Sequence, residues 1–411
     1  MLAIVRNVGL TRAAPIAVAL LALTLAGCGG QPSAHHARPA ASASAAPAAA
    51  KQNVAGPGAR TPVPRAFRHL LPGMPPIEHG NVYAAAEAGK VQPSIAHEPH
   101  LIYVPNSYGR PITTVISQRT HKVVRILHTG ELSQHVTPSY DLRTLYVEAS
   151  AADRLVALDP HTGRIEKRIP QTRPYNLYFT PDGKRAIVMA EQDDEIVFDD
   201  PHTYLRRAVV KDPSCRGPNH ADFSANGRYF IVTCEFSGSL LKINTLQHRV
   251  TARLTLPPGA KPQDIRLSPT GRNFYVADMG RDKLLRISWK HLRVIGSIDT
   301  PAMPHGIYPS RDGRFLYVSD RGAGKVSVVS VARDRIVDTW TIPGGGSPDM
   351  GGLSADGKIL WLSGRYDGYV YGWNTRTGRL IAKIRVGGSP HGLLVWPQPG
   401  RYSIGHTGNM R

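Results

Sequence analysis

The sequence is poor in cysteine, in acidic residues and in the motifs of covalent catalysis. Its 411 residues contain three cysteines, and 50 Lys and Arg face 30 Asp and Glu, for a formal net charge of +20. It contains no CxxCH, HExxH or GxSxG motif. These absences argue against a covalently attached haem, a zincin-type protease and an α/β-hydrolase.

The single long apolar run lies at the N-terminus. Arg6 and Arg12 precede an apolar stretch over residues 13–24, which is too short for a mature membrane span. Leu25-Ala26-Gly27-Cys28 then resembles a bacterial lipoprotein box, in which the cysteine is lipidated. We predict that residues 1–28 are a lipoprotein signal peptide and that Cys28 anchors the chain to the outer face of the cell membrane. An ordinary secretory signal cut nearby is the alternative.

The next segment lacks large apolar residues. Residues 29–75 are rich in Ala, Pro, Ser and Gly and cannot bury a core, and residues 29–81 are predicted to be a disordered tether. Residues 82–411 are predicted to be the folded domain, beginning with a short helix or cover segment over residues 82–91. With 40 Gly and 34 Pro, the chain has many turns and little helix.

The positive charge favours anionic partners such as lipid head groups or acidic polymers of the cell envelope. Basic residues are spread over the whole folded part, for example at Arg206, Arg207, Arg333, Arg376 and Arg379. They do not alternate with aromatic residues as in a stacking platform for nucleic acid. A solvated basic surface accounts for this distribution, a protein or an anionic envelope polymer is the partner that the charge would suit, and nucleic acid is not predicted.

A repeat of 41 to 44 residues determines the fold. Each full unit has an apolar strand, a turn such as Ser310–Gly313, an aromatic-aliphatic strand such as Phe315–Val318, and two further strands. Innermost strands begin at Ser133, Pro174, Pro218, Pro262, Pro304, Pro348 and Pro390.

Six repeats are complete, and two partial ones complement each other. Residues 391–396 form an innermost strand with no further strands after it. Residues 101–127 form three strands that have no innermost strand before them. Pairing them completes a seventh blade and removes the open edges of the array. The predicted fold is all-β, a seven-bladed β-propeller closed by one C-terminal and three N-terminal strands.

The second strands carry a family resemblance. Tyr103-Val104-Pro105-Asn106, Tyr275-Val276-Ala277-Asp278 and Tyr317-Val318-Ser319-Asp320 resemble the YVTN repeat. Over about residues 95–400 the chain looks like the YncE-type, YVTN-family propellers of bacterial extracytoplasmic proteins. The resemblance implies the fold and leaves the activity open. Propellers of haem nitrite reductases, nitrous-oxide reductase and lactonases are similar in fold only.

Polar residues recur where blades of this kind face the mouth of the central channel, at the start of each innermost strand and at the end of each second strand. Polar groups that converge on a concavity predict a binding site, and solvent-lining or loop-capping roles are the alternative. The predicted ligand-binding residues are His135, Asn176, Asn219, His220, Asp264, Asp278, His305, Asp320, Asp349, Arg365 and His391.

Metal and catalytic chemistry have little support in the sequence. His220, His305 and His391 could bind a metal with Asp264 or Asp349, but they lie on separate strands, so neither a metal nor a cofactor is predicted. Glu235, His305 and Arg365 are available for a lactonase-like site. The sequence favours a module that binds a protein, a cell-envelope polymer or a small ligand at the mouth over an enzyme. The alternative is a metal- or cofactor-dependent redox enzyme or a lactonase-like hydrolase at the same mouth.

Two cysteines remain after Cys28. Cys215 precedes the innermost strand of a repeat and Cys234 ends the second strand of the same repeat. Both therefore lie at one face of one blade, within reach of a bridge. In an exported chain we predict a Cys215–Cys234 disulfide, with two unpaired buried thiols as the alternative.

Overall fold

Short runs of β-branched, aliphatic and aromatic residues, each ended by a tight turn, form seven antiparallel sheets around a central axis. The computed structural model describes residues 69–411. The predicted signal peptide and residues 29–68 of the predicted tether lie outside the described residues. The predicted fold class, an all-β seven-bladed propeller, is confirmed.

Blades 1 to 4 contain the first fifteen strands in chain order. They are β1 (Leu101–Pro105), β2 (Ile112–Ser117) and β3 (Val123–His128) in blade 1; β4 (Ser133–Pro138), β5 (Leu145–Ala149), β6 (Arg154–Leu158) and β7 (Ile165–Pro170) in blade 2; β8 (Asn176–Phe179), β9 (Ala186–Ala190), β10 (Glu195–Asp199) and β11 (Arg206–Val210) in blade 3; β12 (Pro218–Phe223), β13 (Tyr229–Cys234), β14 (Ser239–Asn244) and β15 (Arg249–Thr255) in blade 4.

Blades 5 to 7 and the C-terminal tail contain the others. They are β16 (Pro262–Leu267), β17 (Asn273–Asp278), β18 (Lys283–Ser288) and β19 (Val294–Asp299) in blade 5; β20 (Pro304–Pro309), β21 (Phe315–Asp320), β22 (Lys325–Ser330) and β23 (Arg335–Thr341) in blade 6; β24 (Pro348–Leu353), β25 (Ile359–Gly364), β26 (Tyr369–Asn374) and β27 (Leu380–Arg385) in blade 7; then β28 (Leu394–Trp396), β29 (Ser403–Gly405) and β30 (Asn409–Met410). Short 3-10 helices span Ala84–Ala86, Pro93–Ile95, Ser150–Ala152 and Glu191–Asp193.

The ring closes in blade 1. There β28 pairs with β1, so that Leu101 lies opposite Trp396 and Tyr103 opposite Leu394, and the sheet order is β28-β1-β2-β3. A strand from each end of the folded chain therefore holds the first blade together. None of the helices within residues 69–411 is both long and apolar enough to cross a membrane.

A side-chain hydrogen-bond motif stabilises the turn between the first and second strands. In blade 6 the Ser310 hydroxyl donates to Asp312 Oδ1 at 2.6 Å and accepts from the Phe315 amide at 2.9 Å, and Gly313 has φ of 68°. Glycine adopts this left-handed conformation without steric cost. The same hydroxyl-to-acceptor contact recurs from Thr180 to Asp182 and from Ser354 to Asp356. The repeat in the sequence is thus a repeat of this turn.

These turns lie on one face of the ring, which we call the turn face. The opposite face, called the mouth face, has the loops that lead into each innermost strand and the turns between second and third strands. Between neighbouring blades, apolar side chains such as Phe198, Phe223 and Phe230 form the core. Each large side chain buried in this way contributes roughly 1.5–3 kcal/mol to stability.

Two segments outside the repeats cover the turn face. The chain over residues 69–91 runs across it: the Leu71 amide donates to the Asn226 carbonyl, and the Val82 amide donates to the Pro269 carbonyl. Leu71 and Met74, inside the predicted tether, are buried there. The tail is the other segment, and its strand β29 pairs with β8. The hairpin β29–β30 thus extends blade 3 into the central channel.

Candidate functional site

A β-bulge at the start of the innermost strand aims polar side chains at the channel axis. In blade 6 Pro304 pairs with Asp320 and Ile307 with Val318, so one extra residue lies in β20. Bulges of this kind re-aim side chains and are common beside functional sites. The same register shift occurs in four other blades. The bulged positions in these five blades include His135, His220, Asp264, His305 and Asp349.

Five imidazoles meet at the centre of the channel. His135, His220, His305 and His391 come from the innermost-strand segments of blades 2, 4, 6 and 1, and His406 comes from the tail hairpin. All five are at most 2% exposed. Ring centroids lie 4.7 Å apart for His135 and His391, 4.7 Å for His220 and His406, and 6.0 Å for His220 and His305. The prediction from sequence contained four of these residues and missed His406.

His406 occupies a constrained turn. The hairpin turn spans His406–Asn409, in which the Asn409 amide donates to the His406 carbonyl at 3.0 Å. His406 and Thr407 have φ of 38° and 44°, a left-handed conformation that costs a residue other than glycine of the order of 1–3 kcal/mol. The His406 amide donates to the Leu177 carbonyl, which fixes the turn against blade 3.

Three of the imidazoles form a compact set. His135, His220 and His406 each offer a ring nitrogen, and these nitrogens lie within 4.8 Å of one another. Unpartnered nitrogens remain on all three rings: Nε2 of His135, both nitrogens of His220, and Nε2 of His406. Asp264 Oδ1 lies 3.6 Å from His406 Nε2, which is too long for a hydrogen bond. Of the described residues, these three are the ones that could hold a metal ion.

Hydrogen bonds orient two of these rings. His135 Nδ1 lies 2.8 Å from the Tyr175 carbonyl oxygen, so Nδ1 carries the proton and Nε2 the lone pair. His406 Nδ1 lies 3.1 Å from Oδ1 of Asn176, whose amide nitrogen donates to the Asn219 carbonyl at 3.0 Å. Because that donation fixes the amide orientation, His406 also has its proton on Nδ1. Both Nε2 atoms therefore carry lone pairs.

His305 and His391 flank a buried carboxylate instead. His391 Nδ1 lies 2.7 Å from Asp349 Oδ2, and His305 Nδ1 lies 3.2 Å from Oδ1. Arg321 donates to the same Oδ1 at 3.1 Å. Burial acts to raise the pKa of Asp349, but His305 and Arg321 outweigh it and hold this pKa below its usual value. Asp349 is thus an anion with three neighbours that stabilise it.

Burial sets the charge of the imidazoles. Desolvation lowers the pKa of His135 to about 4 and the pKa values of His220, His305, His391 and His406 well below the usual value. The folded protein therefore holds five neutral imidazoles near pH 7, with lone pairs available as ligands or acceptors.

Nearer the turn face, the channel contains a layer of buried ion pairs. Arg411 donates to Asp222 Oδ1 at 2.8 Å, and Arg266 donates to Asp264 Oδ2 at 3.2 Å. Burial raises the pKa of Asp264 to about 6, although Arg266 opposes the shift. Tyr83 lies under this layer, with the Arg411 guanidinium 4.6 Å from its ring. The layer and the tail occupy the turn-face end of the channel.

The mouth face has an open rim with exposed aromatic residues. Tyr108, Phe236 and Tyr366 are 61%, 56% and 64% exposed. Arg365 lies over the Tyr108 ring at 5.7 Å and donates to Ser107 at 2.6 Å. Arg321, the neighbour of Asp349, lies over the Tyr366 ring at 5.2 Å. Blades 6, 7 and 1 thus present an arc of arginine and tyrosine beside the channel, which we call the arginine-tyrosine arc.

The opposite side of the rim is acidic. Glu235, at the start of a turn in blade 4, accepts from the Asn219 amide at 3.2 Å. Burial, reinforced by the charge of Glu235, raises the pKa of Glu191 to about 8, although Arg365 opposes the shift. The mouth therefore has guanidinium groups on one side and carboxyl groups on the other, and Glu191 is protonated near pH 7.

The other predicted site residues have local partners. Asp278 Oδ1 accepts from the Lys261 amide of its own blade at 2.9 Å, and Asp320 Oδ2 accepts from Ser327 at 2.7 Å. Asn219 and Asn176 line the channel through the contacts above. The predicted Cys215–Cys234 disulfide is present, with Cα atoms 5.1 Å apart at the mouth face of blade 4.

Sequence reasoning missed Asp222, Arg266, Arg411 and Arg321 as well as His406. Asp222 and Arg266 lie further along their innermost strands than the initial positions on which the prediction was based. Arg321 follows the end of a second strand by one residue. For His406, the run Gly405-His406-Thr407-Gly408-Asn409 is a turn signal that could have marked a further hairpin.

The pKa of Asp320 gives a pH prediction. Burial raises this pKa to about 8, with the Ser327 hydrogen bond opposing. The folded state therefore keeps a proton that the unfolded chain releases near pH 4, so the stabilisation is complete below that pH and is lost as the pH rises through 8. We expect Asp320→Asn to remove this dependence, so that the wild type loses about 2–3 kcal/mol relative to the variant between pH 4.5 and pH 6.5, at about 1.4 kcal/mol per pH unit.

Urea unfolding at several pH values measures the effect. Asp299→Asn, at a side chain that is 87% exposed, should follow the wild type at every pH. Parallel pH curves for Asp320→Asn and the wild type would contradict the assignment.

Comparison with known proteins agrees with this architecture. The family model described as YNCE-like beta-propeller matches residues 99–399. No curated protein matches the chain significantly in sequence. A solved protein of unknown function from Desulfotomaculum acetoxidans has 13% identity and a TM-score of 0.60, over 71% of this chain and 99% of that one.

Two further solved structures are similar in fold. Dihydro-heme d1 dehydrogenase NirN, in complex with DHE, has 13% identity and a TM-score of 0.55, over 79% of this chain and 83% of that one. Hydrazine synthase of Kuenenia stuttgartiensis has 17% identity and a TM-score of 0.51, over 72% and 99%. At such identities the likeness concerns the fold alone.

Proposed function

Because the chain belongs to the YNCE-like β-propeller family, whose fold leaves the activity open, we propose its function from the mouth of its channel. It is a lipid-anchored, extracytoplasmic binding module that takes anionic groups of an envelope polymer or protein at the mouth face. The arginine-tyrosine arc, Arg321 and Arg365 with Tyr108 and Tyr366, carries the proposal.

The chemistry of the arc supports an anionic ligand. Guanidinium groups bind carboxylates and phosphates through paired hydrogen bonds, and tyrosine supplies rigid contact area. Arg365 is held by Ser107, so it needs little ordering when a ligand binds, whereas Arg321 is only 7% exposed and already pairs with Asp349. The net charge of +20 favours the same class of ligand.

An extracytoplasmic location has support from the disulfide. Cys215–Cys234 joins two loops at the mouth face, and disulfides persist in oxidising compartments. The lipoprotein box at Cys28 and the apolar run before it add an export signal and an anchor. Metabolic labelling with a fatty acid should mark the wild type and leave Cys28→Ser unlabelled.

The enzymatic alternative stays a prediction. The groups named for a lactonase-like site have different partners: Glu235 accepts from Asn219, His305 lies beside Asp349, and Arg365 donates to Ser107. No described feature favours a hydrolytic or redox reaction over binding.

A binding experiment tests the mouth. Poly-L-glutamate and polyphosphate are titrated onto the immobilised full chain at low and high salt. Replacing Arg365→Gln together with Tyr366→Ser should weaken binding about tenfold, the effect of losing one charge-assisted hydrogen bond. Comparing the two probes distinguishes carboxylate from phosphate recognition.

The matched control is the pair Arg376→Gln and Arg379→Gln. Both residues are exposed at the outer edge of blade 7, and the pair removes more charge than the mouth variant. This control pair should change the dissociation constant less than twofold, because surface charges distant from the mouth are screened by salt. Equal weakening by both variants, or binding of neither probe, would overturn the proposal.

A further inference from the structure

The centre of the channel presents a chemical problem that the rim does not explain. Four imidazole nitrogens on His135, His220 and His406 have no hydrogen-bond partner in a fully buried environment. A buried polar atom without a partner is destabilising, and unpaired groups in native proteins commonly mark a water, an ion or a functional site. Three such residues lie together here.

We propose that His135, His220 and His406 bind one transition-metal ion, Zn²⁺ or Cu²⁺, at the axis of the propeller. Imidazole is a preferred ligand of both ions, whereas Mg²⁺ and Ca²⁺ prefer oxygen. The three rings come from blade 2, blade 4 and the tail, so the ion joins parts of the chain that are far apart in sequence.

The geometry suits an ion of this size. Metal–nitrogen bonds of about 2.0–2.1 Å place the nitrogens of a tetrahedral site about 3.4 Å apart. The candidate nitrogens lie within 4.8 Å of one another, so ring rotations and shifts of up to about 1.5 Å complete the site. The three rings are steeply inclined to one another, with interplanar angles of 90°, 68° and 84°, so none of them is stacked on another.

Outer hydrogen bonds prepare the ligands. The Tyr175 carbonyl accepts a hydrogen bond from Nδ1–H of His135, and the Asn176 amide oxygen accepts one from Nδ1–H of His406. Metal-binding histidines characteristically donate their other N–H to a carbonyl or carboxylate, which fixes the ring and its lone pair. Neither ring nitrogen of His220 has a hydrogen-bond partner, so either nitrogen can bind the ion.

A carboxyl group and a small cavity lie beside the three imidazoles. Asp264 Oδ1, 3.6 Å from His406 Nε2, is a carboxyl oxygen beside the site. A cavity of about 50 Å³, lined in part by His406, Arg266 and Asn409, borders the same ring. It has room for water, which commonly occupies the fourth position of a three-histidine site. The site therefore has three protein ligands and a source for the fourth.

Metal titration of the full chain tests the site. Metal is first removed from the protein with a chelator. Separate samples are then titrated with Zn²⁺, with Co²⁺ as a coloured substitute for zinc, and with Cu²⁺. Binding of Co²⁺ is measured by its visible absorption and binding of Cu²⁺ by electron paramagnetic resonance. We expect one ion per chain, absorption typical of four-coordinate Co²⁺, or nitrogen hyperfine splitting from imidazoles in the Cu²⁺ spectrum. The stronger of the two responses identifies the ion. Binding of neither ion would overturn the proposal.

Variants assign the ligands. His220→Gln and His406→Gln should each weaken binding at least about 100-fold, the upper limit for loss of an outer hydrogen bond, and Asn176→Ala about 10- to 100-fold. His305→Gln is the matched control, since His305 is also buried at a bulge but lies beside Asp349, and it should change affinity less than about threefold.

Folding of each variant is checked by near-UV circular dichroism. If either ligand variant fails to fold, the other variant and Asn176→Ala still decide the assignment. Unchanged affinity in those variants, or an equal loss in His305→Gln, would show that the ion binds elsewhere.

Discussion

Replacing Asp222 with alanine is expected to lower the free energy of unfolding by about 3–5 kcal/mol, the usual cost of breaking a buried ion pair from one side. Asp222 Oδ1 accepts from Arg411 at 2.8 Å and from Asn409 at 3.2 Å, and its Oδ2 accepts from the Leu267 amide at 2.7 Å. Both Asp222 and Arg411 are fully buried. The variant leaves the Arg411 guanidinium without its anion in the channel.

Denaturant unfolding with a double-mutant cycle measures this effect. Arg411→Met alone should also destabilise the protein, and the double variant should lose less than the sum, because it removes the unpaired charge. Asp299→Asn breaks an exposed ion pair with Lys283 and should leave stability unchanged. A loss below 1 kcal/mol in Asp222→Ala, or strict additivity in the cycle, would contradict the role given to this pair.

Loss of the Cys215–Cys234 bridge is expected to cost about 3 kcal/mol, from the loop entropy that a bridge of 19 residues' separation removes from the unfolded chain. Replacing both cysteines with alanine keeps the small buried side chains and deletes the bond. In reductant, the urea unfolding curve of the wild type should coincide with that of the double variant, which should be the same with and without reductant.

The double variant is its own control, because it should not respond to reductant. A wild type that unfolds at the same urea concentration with and without reductant would show that the bridge contributes nothing. The bridge also links the loop before β12 to the turn that carries Phe236. Its loss should therefore loosen the mouth face of blade 4 before the rest of the ring.

The fold was predictable because its signal is local and repeated. The hydroxyl–carboxylate turn at Ser310 and Asp312 recurs with the same spacing in blade after blade, and the Tyr-Val runs follow it at a fixed distance. The complementary partial repeats also predicted the pairing of β28 with β1. What was not predictable is non-repeating: residues 69–81, which lie on the turn face within the predicted tether, and the hairpin inside the channel have no periodic pattern.

The site was predictable only in part, for a similar reason. The position after each initial proline pointed to His305, Asp349 and His391, but their separation across the ring could not be read from spacing. The bulge that turns these side chains inward is a register shift, which the residue pattern does not encode. His406 reaches the centre from the tail, so the three-imidazole set brings together residues 271 positions apart in sequence.

The position of the first described residues has a consequence for ligand binding. The His69 carbonyl accepts from Arg228 beside the turn between the first two strands of blade 4, so the described chain begins on the turn face. The mouth is at the other end of the channel, and a ligand bound there therefore leaves the contacts of residues 69–91 with the ring undisturbed.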